Sequence, residues 1–182
     1  GVARSHLLSY EREGALLEEL FTHDGSGTLI AQNPYEQARS ADINDIASIV
    51  ELIRPLEDSG ALVKRSRERL EEEIGYFSIL ERDGRVLACA ALYPYEAGSV
   101  GESACVATHS DYRGTGRARQ LLDELIAEAK ALSLTHVFVL TTQSTHWFLE
   151  QGFEAASPDD LPVEKQQLYN WQRSAAVLRR TV

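Results

Sequence analysis

Methionine is missing from this sequence, cysteine occurs only twice, and basic side chains are outnumbered by acidic ones, 18 against 28. Each shortage excludes something. Two cysteines cannot staple a disulfide scaffold. Cys89 and Cys105 both sit in apolar, strand-like runs without metal-ligand spacing, which is the pattern of reduced core thiols in a cytosolic protein. The five histidines are scattered with no HxxxH pair, so no metal is expected. A net charge of −10 disfavours nucleic acid and anionic membrane as partners, and any anionic ligand must meet a local cluster of Arg or Lys. No apolar run is long enough to cross a bilayer, and the N-terminus lacks the basic-then-apolar pattern of a secretion signal. A soluble cytoplasmic location follows. Because the chain begins with Gly1 and holds no methionine, it is expected to be a fragment of a longer polypeptide.

What is present suits one α/β domain with an appendage. The 43% hydrophobic content over 182 residues is enough for an ordinary core. Residues 1–37 read as strand (VARSHLLSY), helix (GALLEELFT) and a glycine-bearing turn into TLIA, a piece too short to bury a core alone. From residue 38 the pattern is continuous. Ile43, Ile46, Val50 and Ile53 recur at helical spacing behind Ser40 and Asp42, and Pro55 is expected to stop that helix soon after. Ser66 can cap RERLEEEI. A hairpin turns at Asp83-Gly84, and SACVAT is a further strand. TGRARQLLDELIAEAKAL is an amphipathic helix with Leu121, Leu122, Leu125, Ile126 and Ala129 on one face. The apolar run HVFVLTT suits a parallel strand covered on both faces. A short helix, STHWFLEQ, ends at Gly152, and a last strand is expected within KQQLYNWQRSAAVL.

The segment HSDYRGTGRARQLL carries the strongest chemical signal. A strand, a glycine-bearing loop and a helix start, in that order, make an anion site, because the first-turn N–H groups point outward at the positive end of the helix dipole. Gly114 and Gly116 allow close backbone approach, and Arg113 and Arg117 add charge-assisted hydrogen bonds. The same residues also suit a plain strand-to-helix turn.

Arg113-x-x-Gly116-x-Ala118 resembles the (Gln/Arg)-x-x-Gly-x-(Gly/Ala) signature of the GNAT superfamily of N-acetyltransferases. The resemblance implies an α/β (α+β) fold: a mixed, mostly antiparallel sheet whose central parallel strands, here ESACVAT and HVFVLTT, splay apart to admit acetyl-CoA. The segments ELIRPLEDSGALVKRSRERLEEEI, GESACVATHSDYR, FVLTTQSTHWFLEQGF and LYNWQRSAAVL are similar to the acetyltransferase domain of the bacterial N-acetylglutamate synthase family. Residues 1–37 resemble the C-terminal end of the amino-acid-kinase domain that precedes it there, and 38–182 the acetyltransferase domain itself. The family implies acetyl transfer from acetyl-CoA to the α-amine of L-glutamate, in arginine biosynthesis, by a homo-oligomeric full-length protein.

Carried onto this chain, the resemblance makes Glu102 the general base, with backbone N–H groups around Cys105 and Val106 polarising the thioester carbonyl. Cofactor contacts are expected from Cys105, Val106, Ala107, Arg113, Gly114, Thr115, Gly116, Arg117 and Ala118. Many members place a tyrosine four residues before the glycine of the Gly-Phe pair; here that residue is Phe148, so either the thiolate departs without a protonating residue, its reference pKa being near ~8.5, or Ser144, Thr142 or His146 protonates it. The acceptor carboxylates are assigned to Leu62, Lys64, Arg173 and Ser174. The family often reads Val-Arg-Arg-Ser where this chain has Val63-Lys64-Arg65-Ser66, and Arg-x-Ser where it has Arg173-Ser174-Ala175, which in a strand moves the hydroxyl to the opposite face. Lys64 and Arg65 equally suit an exposed pair before a helix. Two other functions fit the same residues: acetylation of a different small amine, and a non-catalytic domain that binds CoA for regulation or assembly.

Overall fold

In the computed structural model, residues 2, 4–22, 25–31, 36–95, 99–169 and 174–182 are described. They divide into two compact units, Gly1–Gln37 and Ala38–Val182. In the first, strands β1 (Arg4–Leu7) and β2 (Thr28–Ala31) pair antiparallel, and helix α1 (Ala15–Phe21) connects them. Its buried content is slight: Ala15 is covered, whereas Leu16, Leu17, Leu20 and Phe21 are exposed. Polar contacts order the turn. Glu19 accepts hydrogen bonds from the N–H groups of Ser26 (2.7 Å) and Gly27 (2.9 Å) and pairs with His6, and these contacts hold its carboxyl below the ordinary value.

The second unit is a seven-stranded sheet in the order β3-β4-β5-β6-β7-β9-β8. Its strands are β3 (Gln37–Ser40), β4 (Phe77–Arg82), β5 (Arg85–Tyr95), β6 (Val100–Thr108), β7 (His136–Thr141), β8 (Glu154–Ala156) and β9 (Ala176–Thr181). Only β6 and β7 pair in parallel among the recorded registers; β4–β5, β5–β6, β7–β9 and β8–β9 are antiparallel. The helices are α2 (Ile46–Asp58), α3 (Arg67–Glu73), α4 (Arg117–Ala131), α5 (Thr145–Glu150) and α6 (Val163–Leu168).

The alternation of β5 assigns its side chains to two cores. Ala88, Ala90 and Leu92 pack against Leu121, Leu122, Leu125, Ile126 and Ala129 of α4, the face expected from the helical spacing. Cys89 and Ala91 face the opposite way, onto Ile49, Leu52 and Ile53 of α2 and Leu70 of α3. Each fully covered leucine or isoleucine contributes roughly 1.5–3 kcal/mol of transfer free energy. Small residues along β5 let both helical layers approach the sheet.

Three expectations need correction. Pro55 does not stop α2, which runs to Asp58; Pro55 lies in its last turn, where the apolar face of Leu52, Ile53 and half-buried Leu56 still packs on the core and offsets the missing hydrogen bond. The last strand expected within KQQLYNWQRSAAVL begins only at Ala176 and runs past that segment to Thr181, while its front, Lys165 to Leu168, is helix. The short edge strand β8 was not foreseen, being three residues long with alanine at two of them.

Candidate active site

Strands β6 and β7 share a register at three positions, Val100 with His136, Gly101 with Val137 and Glu102 with Phe138. Yet β6 continues to Thr108 and β7 to Thr141. Beyond Glu102 the two strands therefore part. A bulge accompanies the parting: Ala91 faces Ala104 and Cys89 faces Ala107, so Cys105 and Val106 together stand opposite Ala90. Cys105 takes a positive φ of 53°, a conformation that costs a non-glycine residue about 1–3 kcal/mol. Complete packing of its side chain and a hydrogen bond from Cys89 Sγ to its carbonyl (3.6 Å) hold it there. The bulge bends β6 and disrupts the ladder, which re-aims the amides at Cys105 and Val106. Burial pushes the Cys105 thiol up to about 11, which disfavours the reactive thiolate.

The gap between the strands is a cavity of about 570 Å³, walled by Glu102 to Val106 of β6, Val139 to Thr141 of β7, and Leu62, Arg65, Ser144, Phe148 and Lys165. A second cavity of about 420 Å³ shares Val106 and Ser144 with it, and is lined by Ala107, Arg113, Gly114, Gly116, Arg117 and Ala118. Gly116 precedes α4 with φ 85° and Gly114 has φ 74°; a Cβ at either would meet no atom within 4 Å. Open space thus fronts the start of a fifteen-residue helix, whose first-turn N–H groups need acceptors. Arg113 donates to the Thr108 carbonyl (3.4 Å), and the Arg117 guanidinium lies over the Tyr112 ring at 5.0 Å. Thr115 is absent from the cavity wall; its hydroxyl donates to the Tyr112 carbonyl at 2.6 Å and braces the loop instead.

Glu102 is buried at the point where the strands separate. Its Oε2 accepts from Tyr95 Oη at 3.0 Å and pairs with Lys165 Nζ at 2.7 Å. Neither partner was foreseen, because Lys165 lay in a segment read as strand and Tyr95 in one read only as hairpin. Burial, and then the neighbouring Glu102 carboxylate, push the Tyr95 phenol well above its ordinary value, so it donates rather than ionises.

Lys64 lies at the cavity wall, as expected of an acceptor-side residue. Its side chain is 76% exposed and pairs with Asp58 at 3.8 Å. Arg65 takes the inward place: its side chain is 13% exposed, Nη1 donates to the Val63 carbonyl at 3.1 Å, and Nε lies 3.9 Å from Glu73 without a hydrogen-bond partner. Leu62 is at the wall as expected. Arg173 lies outside the described residues. Ser174 sits in a turn with φ 46°, not in a strand, so the reversed strand face does not arise; the wall residue there is Ala175.

Of the three proposed proton donors, Ser144 faces both cavities, Thr142 neither, and His146 is 88% exposed beside Glu150. Thr141, which the alternation of FVLTT could have singled out, is buried at the wall, and its Oγ1 accepts the Ser144 N–H at 2.9 Å.

Residues 43–153 match the acetyltransferase (GNAT) family. The chain belongs to that family. Its GNAT fold is the mixed sheet with parted parallel strands described above. The chain is 56% identical over 178 residues, 98% of its length, to the amino-acid acetyltransferase of Proteus mirabilis, and 53% identical over all 182 residues to that of Aeromonas salmonicida. It spans 40% and 41% of those two proteins, about two-fifths of each. Among solved structures it is similar along its whole length to N-acetylglutamate synthase of Neisseria gonorrhoeae. The form complexed with coenzyme A and L-arginine gives a TM-score of 0.90 at 40% identity, with 41% of that chain covered. The form with coenzyme A and N-acetyl-glutamate gives 0.79 at 41%, with 43% covered. No helix among the described residues of this GNAT protein is long and apolar enough to cross a membrane.

Proposed function

We propose that this chain transfers acetyl from acetyl-CoA to the α-amine of L-glutamate, the opening step of arginine biosynthesis, in the cytoplasm. The observation that carries the reading is the placement of one buried carboxylate, Glu102, where two parallel strands part, with a glycine-lined helix start on the same gap. The names and ligands of the Proteus and Neisseria proteins supply the acceptor. Residues 1–37 are, on this reading, the end of an amino-acid-kinase-like domain.

The residues fit coenzyme A. Amides at the start of α4, with Gly114 and Gly116 leaving room, would hold its diphosphate, and Arg113 and Arg117 would offset the charge. Bound there, acetyl-CoA supplies an acyl group activated as a thioester. Cys105 and Val106 line the gap, and their amides at the bulge would donate to the thioester carbonyl oxygen. Glu102 takes the proton from the acceptor ammonium, directly or through a water, since an α-amine with pKa near ~8 is mostly protonated at neutral pH. Ser144, whose backbone N–H is held by Thr141 Oγ1, lines both cavities and would return a proton to sulfur. Arg65 offers its guanidinium to an acceptor carboxylate, and Arg173 and Ser174 follow from the resemblance. A carboxylate-bearing amino acid suits a cavity that turns a half-free arginine inward.

The test replaces Glu102 by Gln and measures turnover and coenzyme A binding separately. Turnover should fall by roughly 10²–10⁴-fold while calorimetric coenzyme A affinity stays. Unchanged turnover removes the base from Glu102. Equal rates with glutamate, aspartate, glutamine and ornithine would reassign the acceptor, and no turnover of any amine would leave a binding domain.

A further inference from the structure

We propose that Lys165 of α6 is a positioning residue that keeps Glu102 ionised and oriented for proton abstraction. The inference deepens the reading of Glu102 as the base and rests on it.

The Glu102 side chain is 8% exposed, and burial at that level works against a carboxylate's charge. Something must compensate. Two donors converge on one oxygen, Oε2: the Lys165 ammonium at 2.7 Å and the Tyr95 hydroxyl at 3.0 Å. The other titratable groups facing the site do not take the place of Lys165. Cys105 on the same strand is held neutral by burial, and Tyr93 and Tyr95 of β5 are likewise neutral phenols. Glu73 of α3 and Glu164 of α6 bring charge of the same sign as Glu102. Of the other cations at the cavity wall, Arg65 is placed beside Glu73 and Lys64 beside Asp58. Across the parallel pairing, β7 presents the apolar Phe138. Lys165 is therefore the cation in direct contact with the carboxylate among the described residues.

The local fold delivers it. The six-residue helix α6 starts after Pro162, and Gln166 Nε2 donates to the carbonyls of Leu161 (2.7 Å) and Asp159 (3.0 Å). That clasp ties α6 to the preceding loop, so the residue before Gln166 reaches Glu102 from a fixed base. With Oε2 doubly engaged, proton uptake falls to Oε1, and the carboxylate cannot rotate without breaking an ion pair. The two effects are separable: the charge sets the pH range in which the base works, and the contact sets its orientation.

The experiment compares Lys165→Met, Lys165→Arg and Glu102→Gln in the purified chain by the pH dependence of kcat/KM for the acceptor, with coenzyme A calorimetry as the check on folding. Removing a neighbouring positive charge favours the protonated carboxyl, so Glu102 then loses its function at higher pH. In Lys165→Met the acid limb should rise by about one pH unit or more, a loss of ~5-fold or more at the wild-type midpoint that is largely recovered on the alkaline side. Lys165→Arg should keep the limb in place, and all three variants should bind coenzyme A as the parent does. An acid limb that stays put in Lys165→Met, or a loss equal at every pH, overturns the role of Lys165 alone, provided Glu102→Gln is slow. A Glu102→Gln variant with parental rate and parental acid limb removes the base itself, and the proposal with it.

Discussion

Arg65 and Lys64 are neighbours in sequence with opposite fates. Both line the cavity, but Arg65 is largely buried with an unpartnered Nε, whereas Lys64 is exposed beside Asp58. The chemical requirement, a cation for a carboxylate, was legible in Lys-Arg before a helix; which of the two serves depends on the direction each side chain takes between α2 and α3. A planar fork binds a carboxylate bidentately, which a lysine cannot do. We predict that Arg65→Lys raises the KM for glutamate by ~10-fold or more with a smaller change in kcat, and that Lys64→Ala changes KM by less than ~3-fold, in steady-state assays at saturating acetyl-CoA. Glu102 gives the same lesson. Its residue type and strand position were readable, but its partners, Tyr95 seven residues earlier and Lys165 sixty-three later, could only be assembled by the fold.

Periodic elements are encoded locally and emerge as read. The buried face of α4 is the set of five residues spaced for it, and Ser66 accepts the Arg69 N–H as a helix cap should. Reading fails where local signals are weak or overridden. Lys165 to Leu168 lack both strong helix periodicity and a side-chain cap, so nothing marks them as helix until the Gln166 clasp forms. Pro55 is tolerated because the face around it is buried. A polar device joins β3, α2 and β4: Arg39 donates to Asp45 (2.8 and 2.9 Å) and to Glu81 (2.8 Å), and Asp45 also accepts the Asp42 N–H. The hydrogen bonds from Arg39 hold the Asp45 carboxyl below its ordinary value. A group lowered on folding stabilises fully above its unfolded pKa, near ~4, and loses that contribution as pH falls through the folded value. Asp45→Asn should therefore destabilise the chain by ~1–3 kcal/mol at pH 7, with the gap narrowing below pH ~4. Urea unfolding of parent and variant at pH 7 and pH 3 measures both numbers.

Across the whole molecule, the three buried hydrophobic clusters and both cavities lie within residues 38–182, whereas residues 1–37 bury little apolar surface of their own. A chain beginning at residue 37, which keeps β3, should fold cooperatively and bind coenzyme A with the parent's affinity by calorimetry. Loss of binding would mean that the first unit supports the diphosphate turn. By itself the sequence determined the family and, apart from α6 and β8, the order of elements, and it marked the glycine turn at residues 113–118 and the carboxylate at Glu102, because periodicity, turn residues and short motifs act over a few neighbours. Tertiary structure alone decided that the parting begins at Glu102, that the Arg65 side chain is largely buried while Lys64 at the same wall stays exposed, and that Lys165 and Tyr95 meet on one carboxylate oxygen. Those outcomes depend on packing between segments far apart in the chain, and no local pattern encodes the distance between them.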